Sequence, residues 1–493
     1  MKTKILSIVI LLIGFGLSAC SKTAEQPQVG ENTDSAPAVP ASEVFEHTGP
    51  PNIVFILVDD MGYGDVGYNG SEIATPVLDQ MASDGMLLDR NYVYPICSPT
   101  RAALLTGRNP LHLGVDAPIS LKEALPMDVK IMPEYFKDLG YQTFMVGKWH
   151  LGVGNTDYWP TSRGFDSHYG FVGGWVDFYT HVSAGGLDWQ RDGQSLREEG
   201  HTTDLLTAEA LRVIESRDQD TPFFLYLAYN APHSPLQTTP INSGLNDDVE
   251  AGDRKVYAEM VTQMDAGVGQ VFAKLEAEGV LEDTLIVFSS DNGGSLPWGA
   301  SNGPLSGGKG ETLEGGMRVP GLVLWPGYIE GGRVLEQPIV THDWLPTLLD
   351  AIGGDASVVD NAYGRSMWGA IANGAKVDSN VVVMGGRENK AVFDWPWKLV
   401  HLENLAAGTK EDLQLYNVLD DPNEHNDLAA QNPEKLDELL AVLEAMPVVA
   451  SKRDPGSNSA SLFYATGDSK DYEARLAETL PPWAEAAVRG SGE

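Results

Sequence analysis

Cysteine is nearly absent from this 493-residue chain, which carries only Cys20 and Cys97. A disulfide framework is therefore excluded, and the fold must rest on buried apolar surface, for which 42% hydrophobic residues suffice. Basic residues are scarce as well: 33 Lys and Arg face 69 Asp and Glu, a formal net charge of -36. Such a surface repels polyanions at long range, so nucleic acid is excluded as a partner and any anionic ligand must be met by a local basic pocket. Long apolar runs are the third shortage. The one present, Ile5 to Leu17, is too short for a typical membrane span. There is no internal repeat.

That run follows Lys2 and Lys4 and ends in Leu17-Ser18-Ala19-Cys20, the pattern of an export signal. Its end resembles the bacterial lipobox, which implies cleavage before Cys20 and a lipid anchor on it. Ser21, in place of an aspartate, directs the expectation to the outer membrane of a Gram-negative bacterium, in the periplasm or at the cell surface. Residues 21–48, rich in Ser, Thr, Pro, Ala and Glu, lack apolar periodicity and would form a flexible tether. With Cys20 lipidated, Cys97 is the sole thiol in an oxidising compartment. An unpaired cysteine there is more often reactive or modified than idle.

Residues Asn52 to Val58 form an almost continuous β-branched apolar run that stops at Asp59-Asp60. This is the pattern of a strand buried on both faces, as in a parallel sheet between helices. Similar runs at Phe223 to Ala228 and Leu285 to Ser289 end in Asn230-Ala231-Pro232-His233 and Asp291-Asn292-Gly293-Gly294. Ligands of open α/β sheets bind beyond the carboxyl ends of strands, so these polar ends should converge. Between them, Val256, Met260, Met264, Val268, Val271 and Leu275 repeat at helical spacing. The expected fold is α/β, a large mixed, mostly parallel sheet sandwiched by helices over 49–380. After about residue 380, short strands at Val381–Met384, Ala391–Phe393 and Trp397–Leu402 and a helix from Pro433 predict a smaller α+β domain over 381–493 with an antiparallel sheet, its tail from Pro455 wrapping the surface.

The segment Cys97-Ser98-Pro99-Thr100-Arg101, continuing to Thr106-Gly107-Arg108, is the most informative. Pro99 is tolerated in the first turn of a helix beginning after Cys97, where free N–H groups and the helix dipole favour an anion. Arg101 follows one turn later and could hold whatever Cys97 becomes. Asp59-Asp60 and Asp291-Asn292 offer three carboxylates and an amide oxygen, a hard-oxygen set suited to calcium or magnesium. Alone, Asp59-Asp60 could equally cap a turn. Lys148 and His150 stand in Gly147-Lys148-Trp149-His150-Leu151-Gly152, His233 in Ala231-Pro232-His233-Ser234-Pro235, and Lys309 in Gly307-Gly308-Lys309-Gly310. Taken singly, a His or Lys is more often structural or solvated, the reading kept for His112, His168, His181 and His342.

Taken together and in this order, the segments resemble the type I sulfatases of the alkaline phosphatase superfamily, over about residues 51 to 430. The resemblance implies that a maturation enzyme oxidises Cys97 to formylglycine, whose hydrate attacks sulfur. It implies one calcium ion held by Asp59, Asp60, Asp291, Asn292 and the residue at 97. It further implies that Lys148 binds sulfate, that His150 takes the proton when the adduct collapses, and that His233 and Lys309 protonate the leaving alcohol. The stretch Pro160 to Tyr179 looks most like arylsulfatase B-type enzymes, which remove 4-sulfate from N-acetylgalactosamine. Two departures stand out: the cysteines of animal lysosomal relatives are missing, and Leu305-Ser306-Gly307-Gly308-Lys309 has glycines where an arginine is common. The sugar therefore stays open, with Trp175, Asp177 and Trp298 as candidate contacts.

Two other readings follow from the same residues. One is a phosphatase or phosphonate monoester hydrolase of the same superfamily, since phosphate and sulfate are both tetrahedral oxyanions. The other is a catalytically dead glycan-binding surface protein, which would have lost catalytic residues.

Overall fold

A computed structural model describes residues 49–120, 122–183, 186–239, 244–402 and 413–450. Cys20 with the expected signal, the 21–48 tether and the tail from Pro455 lie outside the described residues. In chain order the strands of the main sheet are β1 (Asn52–Val58), β2 (Met86–Leu88), β3 (Gln142–Lys148), β4 (Ser167–Phe171), β5 (Gln190–Arg191), β6 (Gln194–Ser195), β7 (Phe223–Ala228), β8 (Thr284–Ser290), β9 (Gly321–Leu324) and β10 (Arg333–Leu335). Their spatial order is β10-β2-β9-β8-β1-β7-β3-β4-β5-β6. The five central strands, β8 to β4, run parallel, and antiparallel pairs flank them on both sides. The sheet is thus mixed and mostly parallel at its centre, as expected.

The three apolar runs lie side by side. β1 pairs with β7 through Leu57 and Ala228, and with β8 through Val58 and Ser290. Alternate residues feed two cores, because side chains on a strand point to opposite faces. Ile53, Phe55 and Leu57 pack on one side with α2 (Cys97–Thr106), α3 (Met132–Asp138), α7 (Trp344–Ala351) and α8 (Trp368–Asn373). Val54, Ile56 and Val58 pack on the other with α1 (Pro76–Asp84), α4 (Thr202–Ser216) and α5 (Asp253–Ala277). The predicted stripe of α5 is real: Met260, Met264, Val268, Val271 and Leu275 are fully buried. Each such side chain stabilises the fold by roughly 1.5–3 kcal/mol, before its share of ordering entropy.

A second, antiparallel sheet is formed in order by β11 (Val382–Gly385), β12 (Asn389–Asp394), β13 (Trp397–Leu402) and β14 (Leu413–Asn417), with α9 (Pro433–Ala445) against it. The sequence pattern does not single out β14, whose Leu-Gln-Leu-Tyr-Asn is short and half polar. Met384 and Ala391 share a core with Tyr92, Ala103 and Met317, where α6 (Glu314–Met317) meets this sheet. Lys398 of β13 is wholly buried between Glu314 and Glu424, 2.9 and 2.8 Å from their carboxylates.

Candidate active site

The strand ends converge as expected. The Asp59 N–H donates to Ala231 O (3.2 Å), and the Asp291 N–H donates to Val58 O (2.9 Å), which joins the tips of β1, β7 and β8. Asp60 and His150 are non-glycine residues with φ of 69° and 59°. Backbones held in that region are strained and concentrate at functional sites, where surrounding structure must enforce them.

Cys97 is the first residue of α2, so Pro99 occupies the third helical position; sequence reading placed the helix start one residue later. Among the described residues no side chain caps this helix, which is buried along its whole length. The Cys97 thiol is 3% exposed and lies 3.3 Å from His150 Nδ1. Burial pushes the thiol up, against Lys148 and Lys309, so the unmodified sulfur is a poor thiolate. Burial likewise holds His150 well below its ordinary range, helped by Lys148 and Arg101, so its ring is neutral and able to accept a proton. The Ser98 hydroxyl donates to His150 O at 2.9 Å.

Arg101, one turn on from Cys97, makes its hydrogen bonds to other partners. Its Nε and Nη2 both donate to Asp291 Oδ2, at 3.0 and 2.8 Å, and its Nη1 to Lys148 O at 2.9 Å. A guanidinium with no exposure needs a carboxylate partner, and Asp291 supplies it. Lys148 Nζ lies 2.7 Å from Asp59 Oδ2, and Lys309 Nζ 2.6 Å from Asp60 Oδ1. Burial would raise Asp59, but Lys148, His233, Arg101 and Lys309 together hold it well below the usual carboxylate range. Asp291 goes the other way, up to about 6, through burial and the neighbouring Asp59.

Two oxygens of this cluster are buried without a hydrogen-bond partner among the described residues, Asp59 Oδ1 and Asn292 Oδ1. The Asn292 amide instead orients itself by donating from Nδ2 to Asp60 Oδ1 at 2.8 Å. Unsatisfied buried acceptors are costly, and a carboxylate and an amide oxygen stranded together suit a hard cation. Asp59, Asp60 and His233 each place a ligand atom within 4.8 Å of the others. The residues therefore fit a bound metal. His233, assigned from sequence to proton transfer alone, is close enough to belong to the same cluster, its Nε2 3.7 Å from Asp60 Oδ2.

The wall of the site is a glycine pair. An ideal Cβ on Gly174 would lie 2.7 Å from His150 Cε1, and one on Gly173 would lie 2.6 Å from Asp188 Oδ2. Next to them Trp175 is 43% exposed. Trp298 is 44% exposed, in a Leu296–Trp298 turn that packs on Gly308, the neighbour of Lys309. Asp177 is different: Oδ1 accepts from the Tyr179 and Thr180 N–H groups and Oδ2 from Gln237 Nε2, so its carboxylate is used within the fold. His112, His168, His181 and His342 stand outside this cluster; His168 Nε2, for example, bonds Gly147 O at 3.1 Å and His181 stacks on Trp189.

Sequence reading named Asn230 only as part of a converging strand end, and Asp188 and Asp65 not at all. The Asn230 amide is 1% exposed, and neither polar atom has a partner among the described residues. Asp188 binds two consecutive backbone N–H groups beside the glycine pair. Asp65 accepts from Tyr257, whose hydroxyl also reaches Asp60 O at 3.1 Å. Only the paired glycines signalled any of this beforehand, because adjacent glycines mark close backbone approach.

Comparison with known proteins agrees with the geometry. The family profile described as Sulfatase matches residues 51–354. Arylsulfatase J of Mus musculus is 32% identical over 471 residues, spanning 83% of this chain and 79% of that protein. N-acetylgalactosamine-6-sulfatase of Mus musculus is 36% identical over 333 residues, 62% of this chain and 63% of its own. Among solved structures, Ps i-CgsB in complex with k-i-k-neocarrahexaose has a TM-score of 0.75 and 32% identity, covering 86% of this chain and 98% of that one.

Proposed function

The chain belongs to the sulfatase family, a sulfuric ester hydrolase, and from that premise we propose that it desulfates a sulfated saccharide through a formylglycine made at Cys97. The observation that carries this reading is the position of Cys97. It opens a buried helix, faces a neutral histidine, and sits in a cluster of carboxylates and lysines in which Asp59 Oδ1 and Asn292 Oδ1, oxygens that suit a cation, are unpaired.

A formylglycine aldehyde adds water to give a gem-diol. One hydroxyl gives its proton to one of the surrounding carboxylates as its oxygen attacks sulfur, the bond from sulfur to the sugar oxygen breaks, and the sugar leaves as an alcohol after taking a proton from His233 or Lys309. The second hydroxyl then gives its proton to His150, the freed O–H electron pair forms the C=O bond of the aldehyde, and the C–O bond to the sulfate group breaks with its electrons leaving on sulfate. This is covalent catalysis that divides one difficult displacement into two steps. Each positioned proton transfer contributes about 10²–10⁴-fold. Lys148, buried against Asp59, would hold a sulfate oxygen, while Arg101 bonds Asp291 and the Lys148 carbonyl. Asp59, Asp60, Asp291 and Asn292, with residue 97, would hold one calcium ion, which when bound supplies positive charge to the sulfate oxygens.

For the substrate, Ps i-CgsB was solved with a neocarrahexaose, and another relative is named for N-acetylgalactosamine 6-sulfate. A carrageenan-type oligosaccharide is therefore the first to test. Trp175 and Trp298 offer exposed faces on which sugar rings stack. The lipobox-like sequence supports export and a lipid anchor at Cys20 in the outer membrane, and a formylglycine-generating enzyme must meet the chain before it folds around Cys97.

The test is mass spectrometry of the peptide spanning residues 91–108 from active enzyme. Conversion lowers the mass of Cys97 by about 18 Da. Fully active protein with unmodified Cys97, or Cys97→Ala with undiminished turnover, would overturn the mechanism.

A further inference from the structure

We infer that Asp188 is a positioning residue whose carboxylate clasps the backbone of residues 172–174 and thereby holds His150 against Cys97. The inference rests on the role given above to His150. Asp188 Oδ1 accepts the Val172 N–H at 3.0 Å, and Oδ2 accepts the Gly173 N–H at 2.7 Å. From the same segment Val172 O accepts the His150 N–H at 3.1 Å, and Phe171 O accepts that of Trp149 at 3.1 Å. The segment is thus bonded to Asp188 through its N–H groups and to His150 through a carbonyl.

Side-chain packing repeats the arrangement. The two glycines form a slab one backbone thick, with Asp188 Oδ2 close against Gly173 and the His150 imidazole close against Gly174. His150 has the left-handed φ of 59°, a strained conformation that neighbours must enforce. Asp188 is itself 3% exposed, at the start of the short turn into β5, and its own N–H donates to His181 O at 2.9 Å. A carboxylate is an expensive group to bury, and its two oxygens both face this one stretch of backbone. Among the described residues, no other charged acceptor holds the 172–174 segment from the side away from His150. Loosening the clasp frees the slab to drift, and with it the ring that receives the proton of the second hydroxyl.

A displaced His150 slows one step selectively. Attack on sulfur and departure of the sugar alcohol need His233 or Lys309, whereas collapse of the sulfated adduct needs His150. The adduct should therefore accumulate. The experiment compares full-length wild type, Asp188→Asn, Asp188→Ser and His150→Ala, each with its formylglycine content measured, during turnover of 4-nitrophenyl sulfate and of a carrageenan oligosaccharide. Acid-quenched enzyme is weighed intact for the sulfo adduct, about 80 Da heavier than the hydrate and about 98 Da heavier than the aldehyde. Asp188→Asn keeps one acceptor and presents an NH₂ to the other N–H. Loss of such a supporting hydrogen bond typically lowers activity about 10–100-fold. The expected result is a fall in kcat of that size, a KM that falls with it so that kcat/KM stays within about twofold, and an adduct fraction that rises toward that of His150→Ala.

Asp188→Ser, which leaves room for water on the two N–H groups, carries the test should the asparagine variant misfold. Unchanged kcat and no adduct in a folded Asp188 variant would overturn the clasp. So would a lower kcat without adduct, since a general loss of structure slows the first step too. Absence of adduct in His150→Ala would instead overturn the role given to His150, a separate failure.

Discussion

Gly174→Ala tests the closeness of the slab to His150 directly. The added methyl would lie 2.7 Å from Cε1, 2.8 Å from Nε2 and 3.3 Å from Nδ1 of the imidazole. Comfortable carbon contacts begin near 3.5 Å, so the ring or the backbone must yield by about 0.8 Å. The backbone is pinned by Asp188 and by the His150 N–H, so the imidazole takes most of the shift. A misplacement of about 1 Å costs up to about 10²-fold in rate, and we expect kcat to fall about 10–100-fold. Overpacking should cost about 1–3 kcal/mol of stability, a minor part of the roughly 5–15 kcal/mol typical of a folded domain. The assay is steady-state turnover of 4-nitrophenyl sulfate beside a thermal melt. Gly369→Ala serves as control, because its Cβ would meet only the Ala375 methyl at an ordinary 3.6 Å. Turnover by Gly174→Ala within twofold of wild type would refute the reasoning.

Two further outcomes are expected. Lys398→Met removes the cation that lies between Glu314 and Glu424 and should destabilise by about 3–5 kcal/mol at neutral pH. Burial, with Glu314 adding, already raises Glu424 to about 7 despite Lys398, so the folded variant takes up a proton that the unfolded chain releases above its ordinary 4.5. Its deficit should therefore be smallest near pH 5 and widen as pH rises through 7, read by urea unfolding at both ends; a pH-independent deficit would contradict the assignment. Chelation with EGTA should remove activity and lower the melting temperature, with calcium restoring both. Saturation at a hundred times Kd stabilises by about 2.7 kcal/mol, and Asn292→Ala should weaken it. Restoration by zinc alone would favour the phosphatase reading.

The central sheet was legible because its strands are buried on both faces. An uninterrupted β-branched run such as Asn52–Val58 suits a strand covered by helices on either side, and its abrupt end at Asp59 marks the carboxyl edge. The site residues were legible as far as local segments carry them. Their pairings were not: Arg101 is one turn from Cys97 along α2 but binds Asp291, 190 residues away. Asp188 left no signal because its partners are backbone N–H groups, which nearly any residue offers. The fourth strand of the second sheet was missed because Leu413–Asn417 alternates weakly and leaves most of its residues only partly buried.

The charge pattern explains how so acidic a chain handles an anion. In the core of the site, three carboxylates (Asp59, Asp60 and Asp291) are matched by three cations (Lys148, Lys309 and Arg101) within salt-bridge distance. A divalent cation at the unpaired oxygens would turn that balanced cluster positive, and desolvation makes its field strong at short range. Beyond the mouth the net charge of -36 acts in the opposite sense, but at physiological salt it is screened over about 8 Å. A sulfate ester is therefore favoured only in the last few ångströms. On the proposed function, discrimination among sulfated sugars would fall to uncharged contacts, for which the exposed indoles of Trp175, next to the glycine pair, and Trp298 offer apolar surface without adding charge. Under that reading, selectivity by shape and affinity by charge would be separable, so one catalytic centre could serve different sugars by changing only its outer residues.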